Sequence, residues 1–296
     1  MASDLETRVD EIAPDTYRLS TWIPGITEHG FTFNQFLLTG DEPFLFHTGQ
    51  RFLFPQVSAA IERVLPLTRL RWIAFGHVEA DECGGVNQFL LTGDEPFLFH
   101  TGQRFLFPHV SAAIERVIPL DALRWISFGH LEADECGAMN LFLHAAPDAE
   151  VIHGPLACGL SLTDMCDRPP VEAPLDGVHD TGGHRLRFLA TPHVPHNWEA
   201  GLWFDEATST LLAGDLFTHT GQCPALTESD CVAPALAAEA LFHATGLTTN
   251  LIPTLTRLAE LSPTTLAIMH GASFRGDGAA QLRALSDGYA GLFGAS

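Results

Sequence analysis

Residues 124–136 read RWISFGHLEADEC, an apolar run closed by Gly129 and followed by His130, Glu132, Asp134 and Glu135. A short apolar run ended by glycine reads as a buried strand. Ligand sites of α/β sheets open at the carboxyl ends of their strands, so these four ionisable groups stand where a site belongs. Crowded together, they repel one another unless water or a cation intervenes. One or two hard dications would resolve the repulsion. A solvated acidic turn is the plainer explanation, and the motif alone does not dismiss it.

Three further apolar strands also end in ligand-type side chains. FLATPHVPHNW (188–198) carries His193 and His196, LLAGD (211–215) ends on Asp215, and LAIMHG (266–271) brings His270. Any one of these has an ordinary explanation, since Asp after a strand commonly caps a helix. Four strand ends that all present His or carboxylate argue together for a metal centre.

The chain also repeats itself. Residues 34–86 and 87–139 are the same segment twice, head to tail, differing at eight positions, and NQFLLTGDEPFLFHTGQRFLFP opens both. Two copies are too few for a solenoid. A partial duplication inside a single domain spanning 1–296 is therefore expected. The first copy carries its own motif: His77, Glu79, Asp81 and Glu82. From Glu135 to His196 is 61 residues and from Glu82 it is 114, and only copy 2 runs directly into the later ligand segments. Copy 2 is therefore expected to build the site, with His193 and the copy 1 motif in reserve. Copy 1 could displace copy 2, form an appendage or support strand exchange between subunits.

Each copy reads as strand, turn at GlyAspGlu, strand, helix, strand. In copy 2 the helix is PHVSAAIERVI, with Val110, Ala113, Ile114 and Val117 at helical spacing. Past the repeat the pattern predicts a helix through MNLFLHAA and a strand at AEVIH. Three strands follow at HRLRFLA, AGLWFDE and STLLAGD. Helices are expected at 234–245, 251–261 and 278–292, with the strand TTLAIMH between the last two. Alternating strands and helices make this a layered α/β protein.

HxExD[HE] at a strand end, then a His loop, then GlyAsp, then a strand ending HisGly, resembles the metallo-β-lactamase fold. Glu132 stands where hydrolases of that fold usually carry His, which resembles the di-iron branch of flavodiiron and oxygen-binding di-iron proteins. The resemblance spans roughly residues 15–290 once one copy is removed. It implies an αββα sandwich with two metal ions in a cleft at the sheets' edges. It further implies that His130, Glu132 and His196 hold one metal, that Asp134, Glu135 and His270 hold the other, and that Asp215 bridges them. Iron is the implied metal, with manganese or zinc as alternatives. Glu135 departs from the branch, where His is usual, and a more anionic shell stabilises the ferric state or favours manganese.

Composition excludes other chemistry. The net charge is −21, from 36 acidic against 15 basic residues, so nucleic acid and anionic membrane are not expected partners. There is no Lys, which removes the P-loop lysine and the Schiff base. The six cysteines form no CxxC pair, so neither a thiolate zinc site nor a disulfide scaffold is expected. No targeting segment or membrane span is read, and a cytoplasmic location is expected. No GxSxG or GxGxxG motif occurs. Trp198, Trp203 and Phe217 are expected to wall the pocket, and Asn197 and Arg275 to orient substrate or ligand carboxylates. Cys136 is a candidate redox-sensitive thiol, with a small buried residue as the alternative.

The leading functional expectation is a non-haem di-iron protein that binds O2, or reduces O2 or NO with electrons from a separate donor. The alternative is a binuclear metallohydrolase acting on an ester, lactone, thioester or phosphodiester through a metal-bridging hydroxide. A third is a degenerate duplicated domain that serves in a homo-oligomer without chemistry.

Overall fold

Thr7–Ala13 (β1) and Thr16–Ile23 (β2) form an antiparallel hairpin that turns at Pro14-Asp15, where Asp15 adopts φ 57. Asp is among the few residues that tolerate that region, which suits it to the turn. The computed structural model describes residues 5–24, 31–47, 53–74, 87–221 and 223–293. They fall into two compact units, Met1–Glu79 with Gly159–Met165, and Ala80–Cys158 with Cys166–Ser296. The copy 1 motif, His77, Glu79, Asp81 and Glu82, lies outside the described residues.

In the first unit, Phe31–Leu38 (β3), Phe44–Phe46 (β4) and Trp72–Ala74 (β5) extend the hairpin into a sheet of order β1-β2-β3-β4-β5. Helix α1 (Phe54–Glu62) buries Val57, Ala60 and Ile61 at helical spacing, against Leu19, Leu37 and Leu45.

The second unit begins with copy 2. Phe89–Leu91 (β6), Phe97–Phe99 (β7), Trp125–Ser127 (β8), Glu150–His153 (β9) and Val171–Glu172 (β10) make a sheet in sequential order. Pairing is antiparallel between β6 and β7 and parallel thereafter. Helices α2 (Phe107–Ile114), α3 (Ala133–Cys136) and α4 (Met139–Ala145) follow the strand ends, and Phe107 of α2 meets Phe142 of α4 edge-on. The short α5 (Pro155–Ala157) and α6 (Thr163–Met165) flank a π-helical turn at Cys158–Leu162.

The third sheet comprises His179–Asp180 (β11), Arg185–Ala190 (β12), Gly201–Asp205 (β13), Thr210–Gly214 (β14), Leu226–Thr227 (β15), Thr265–Ile268 (β16) and Ser273–Arg275 (β17), in the order β11-β12-β13-β14-β16-β17-β15. Its helices are α7 (Val232–Phe242), α8 (Leu251–Glu260) and α9 (Gly278–Phe293). Within this unit the two sheets face each other. Phe97, Phe99, Trp125 and Ile152 pack on Leu186, Phe188, Trp203 and Leu212. The other face of the seven-stranded sheet packs Leu211, Ala213 and Leu266 against Leu255, Leu258 and Leu282 of the helices. Each such fully buried large apolar side chain contributes about 1.5–3 kcal/mol. This is the expected αββα layering.

The two copies show how far tertiary context overrides sequence. Both make the same local bond, Trp72 Nε1 to Glu42 Oε2 at 3.0 Å and Trp125 Nε1 to Glu95 Oε2 at 2.8 Å. Yet Trp125 is 9% exposed beneath the facing sheet, and Trp72 is 50% exposed. Copy 2 enters the layered unit, and copy 1 joins the N-terminal hairpin. Among the described residues, no helix is long and apolar enough to cross a membrane.

Candidate metal centre

Four strand ends of the second unit converge. Past β8, backbone extended at Glu132 (φ −130, ψ 158) opens α3, which places Asp134 and Glu135 in its first turn. Past β12, the loop 191–200 carries His196 and contains a cis Val194–Pro195 peptide. Asp215 directly follows β14, and His270 lies two residues beyond β16.

Their side chains form two half-sites joined by Asp215. In the first, His130 Nε2 lies 2.8 Å from His196 Nε2, and Glu132 Oε1 lies 3.0 and 2.9 Å from those two nitrogens. Asp215 Oδ2 is 3.7 Å from each nitrogen. One donor atom from each of these four residues fits within 4.8 Å of the others, a set able to hold a metal ion. In the second half-site, His270 Nε2 lies 3.2 Å from Asp215 Oδ1 and 3.3 Å from Asp134 Oδ2. Asp134 Oδ1 is buried with no hydrogen-bond partner, an anionic acceptor that a cation would satisfy. Mixed nitrogen and oxygen donors with open positions suit iron or manganese better than a soft metal.

Electrostatics show the demand for positive charge. Burial opposes protonation of His130, but the Glu135 and Glu132 carboxylates outweigh it and hold the imidazole well above its ordinary value. His196 is likewise raised, with burial opposed chiefly by its bond to Glu132. Burial would raise Asp215, but the hydrogen bond from His270 and three neighbouring imidazoles bring it down to about 2. Without a metal, protons fill the role, and a binding cation displaces them.

Glu135 takes a different position from the other motif residues. Its Oε2 accepts from the backbone amides of Gly129 and His130, the latter at 2.6 Å, and its Oε1 lies 3.0 Å from His130 Nδ1. The carboxylate therefore sits behind His130, where it fixes the ring and directs Nε2 outward. Glu135→Ala is expected to weaken metal binding by about 10–100-fold, read by competition with a chelator of known affinity.

Other candidates separate clearly. His193 is exposed, with φ 64, and its amide donates to Asn197 O at 2.7 Å, so it stands apart from the cluster. Asn197 Nδ2 reaches Glu132 Oε1 at 3.4 Å, a contact to a candidate ligand as expected. Arg275 is exposed on β17. The expectation that Trp203 and Phe217 wall the pocket is corrected, because both are fully buried in separate cores. Trp198 is 45% exposed. Burial pushes the Cys136 thiol far up, which makes it an inert buried residue.

Sequence reasoning missed His100, Glu199 and His219. His100 follows β7, is fully buried, and places Nε2 3.6 Å from Glu135 Oε1. The rule that found the ligands, a His just past an apolar strand, would have found it too. Glu199 accepts from the Leu131 amide at 3.1 Å. His219 Nε2 accepts from the Ala272 amide at 3.0 Å, and its ring occupies space that a Cβ on Gly271 (φ +119) would invade at 2.3 Å. Glycine is required there by both conformation and space. No motif signals either contact.

Comparison with known proteins agrees with this architecture. A chemotaxis sensor ODP, solved as a peroxy di-iron species, superposes with a TM-score of 0.58 at 20% identity, over 73% of this chain and 98% of that one. A single-site mutant of a flavo di-iron protein from Thermotoga maritima gives 0.57 at 14% identity, over 95% of this chain and 61% of that one. At such identities the likeness establishes the fold, which is that of the metallo-β-lactamases. A putative diflavin flavoprotein A 3 from Synechocystis sp. is 30% identical over 137 residues, covering 44% of this chain. The match spans only 23% of that relative's length. Residues 85–271 match the family described as ODP family beta lactamase, and the chain belongs to that family.

Proposed function

We propose that this chain is a non-haem di-iron protein that binds O2 at the centre built by copy 2, and that reduction of O2 or NO there uses electrons from a separate donor. The observation that carries the reading is Glu132, whose Oε1 lies within 3.0 Å of both His130 Nε2 and His196 Nε2. Its carboxylate gives the first half-site an anionic oxygen donor, which favours iron over the softer metals. His130, Glu132 and His196 would hold one iron, Asp134 and His270 the other, with Asp215 between them. Bound there, the iron pair supplies reversible ferrous–ferric exchange and open positions for a diatomic ligand.

The chain's own residues set the conditions. Glu135 holds His130 from behind, and Asn197 steadies Glu132 from the side. His130, Asp134 and His270 are each no more than 2% exposed, so the second half-site and the root of the first are shielded from bulk water. The carboxylates lower the Lewis acidity of bound metals, which disfavours the hydrolase reading. The flavodiiron and ODP relatives, by the names they carry, support the same choice. An iron-loaded, anaerobically reduced sample is expected to develop a new near-ultraviolet or visible band on exposure to O2. Glu132→His is expected to abolish that response. An iron-loaded protein with no optical change on O2 exposure would overturn the reading.

A further inference from the structure

Strand β6 ends its sheet, and among the described strands it pairs only with β7. Residues 87–108 repeat residues 34–55 without a change, and in the first unit the earlier version of this strand has a second neighbour. There β2 runs antiparallel along β3, with Thr16 opposite Leu38, Tyr17 opposite Leu37, Arg18 opposite Phe36, Leu19 opposite Gln35 and Ser20 opposite Asn34. The same five residues recur as Leu91, Leu90, Phe89, Gln88 and Asn87. Strand β6 therefore offers the hairpin the side-chain sequence that it already binds. A sheet edge of this kind is a template for another strand.

Beside that edge lies an open groove of about 340 Å³ between the sheets of the second unit. Phe89 and Leu91 line one side, and Asp205, Thr210, Thr265 and Ser273 the other. Directly opposed residues on neighbouring strands share a face. In the β2–β3 register, the residues of β2 on the Phe89 and Leu91 side would be Arg18 and Thr16. A polar face with one guanidinium would then meet three hydroxyls and the Asp205 carboxylate. Shape, register and charge all match.

We propose that the β6 edge is a docking strand for the β1–β2 hairpin of a second copy of this chain. Each chain has one hairpin and two cognate strands. In the structure its own hairpin lies along its own β3 over Thr16–Ile23. A hairpin reaching β6 therefore comes from another molecule, and reciprocal exchange closes the pair as a two-fold dimer. The exchanged unit is the whole hairpin, because β1 remains paired to β2. Its register on β6 places Thr16 against Leu91 and Arg18 against Phe89. Pairing stops at Asn87, whose amide already donates to Met269 O at 2.9 Å.

The test uses full-length chains carrying either Arg18→Cys or Phe89→Cys, refolded together and oxidised. The proposed register brings the two new Cβ atoms to about 4.5–5.5 Å, close enough for a disulfide after small adjustment. Non-reducing electrophoresis is expected to show a two-chain product several-fold more abundant in the mixture than in either variant alone, which controls for the native cysteines. A yield no greater than that of the single variants overturns the proposal. So does a double variant that cross-links only within one chain, because the hairpin would then come from the same molecule. If the variants do not fold, light scattering on the unsubstituted protein decides. Twice the chain mass is expected, and a strictly monomeric chain contradicts the exchange.

Discussion

Asp215→Ala is expected to lower bound metal from about two ions per chain to fewer than about one. Among the candidate ligands, this carboxylate alone approaches nitrogen donors of both half-sites, at 3.2 Å from His270 and 3.7 Å from both His130 and His196. Without it the first half-site keeps His130, Glu132 and His196, and the second keeps only Asp134 and His270. Two donors hold a divalent ion weakly, so the second metal goes first and the first is weakened. Asp215→Asn retains one acceptor oxygen and is expected to fall between the wild type and the alanine variant. Elemental analysis of purified, buffer-exchanged protein reads the loss. Circular dichroism checks that the fold survives. Equal metal content in wild type and Asp215→Ala would remove the bridge from the account.

The second large effect separates the two motif copies. His130→Ala is expected to abolish stoichiometric metal binding, because it removes the imidazole whose Nε2 lies nearest to both Glu132 and His196. His77→Ala, the matching change in copy 1, is expected to leave metal content within measurement error. Near-identical sequence thus gives opposite outcomes, since His196, Asp215 and His270 occur once and converge on His130. The comparison carries its own control for stability, because both changes sit in nearly the same local sequence. Loss of metal in the His77 variant alone would move the site to copy 1.

Much of this centre can be read from the sequence because each strand announces its end. Apolar runs close on Gly129, Gly214 and Met269, and the next residue bears the donor. The layers follow from the same periodicity, and the later helices and the strand at Thr265–Ile268 lie where the pattern places them. The orientation of Glu135 cannot be read that way. Its position in the motif suits a ligand, and only the short α3 turn shows its carboxylate folding back onto the amides of Gly129 and His130. Nor does local pattern distinguish the fates of Trp72 and Trp125, which rest on whether a facing sheet is present. Spacing favours copy 2, with 61 residues to His196 against 114, and the partner chosen by the N-terminal hairpin has no signal at all. The strands it could pair with are identical, so pattern cannot rank them.

The most direct test of the central claim is metal content per chain, with an optical spectrum, on protein produced without added metal. About two irons are expected, with a near-ultraviolet charge-transfer band that bleaches on reduction. Two zinc ions with a featureless spectrum, or a folded protein with no metal, would contradict the di-iron centre.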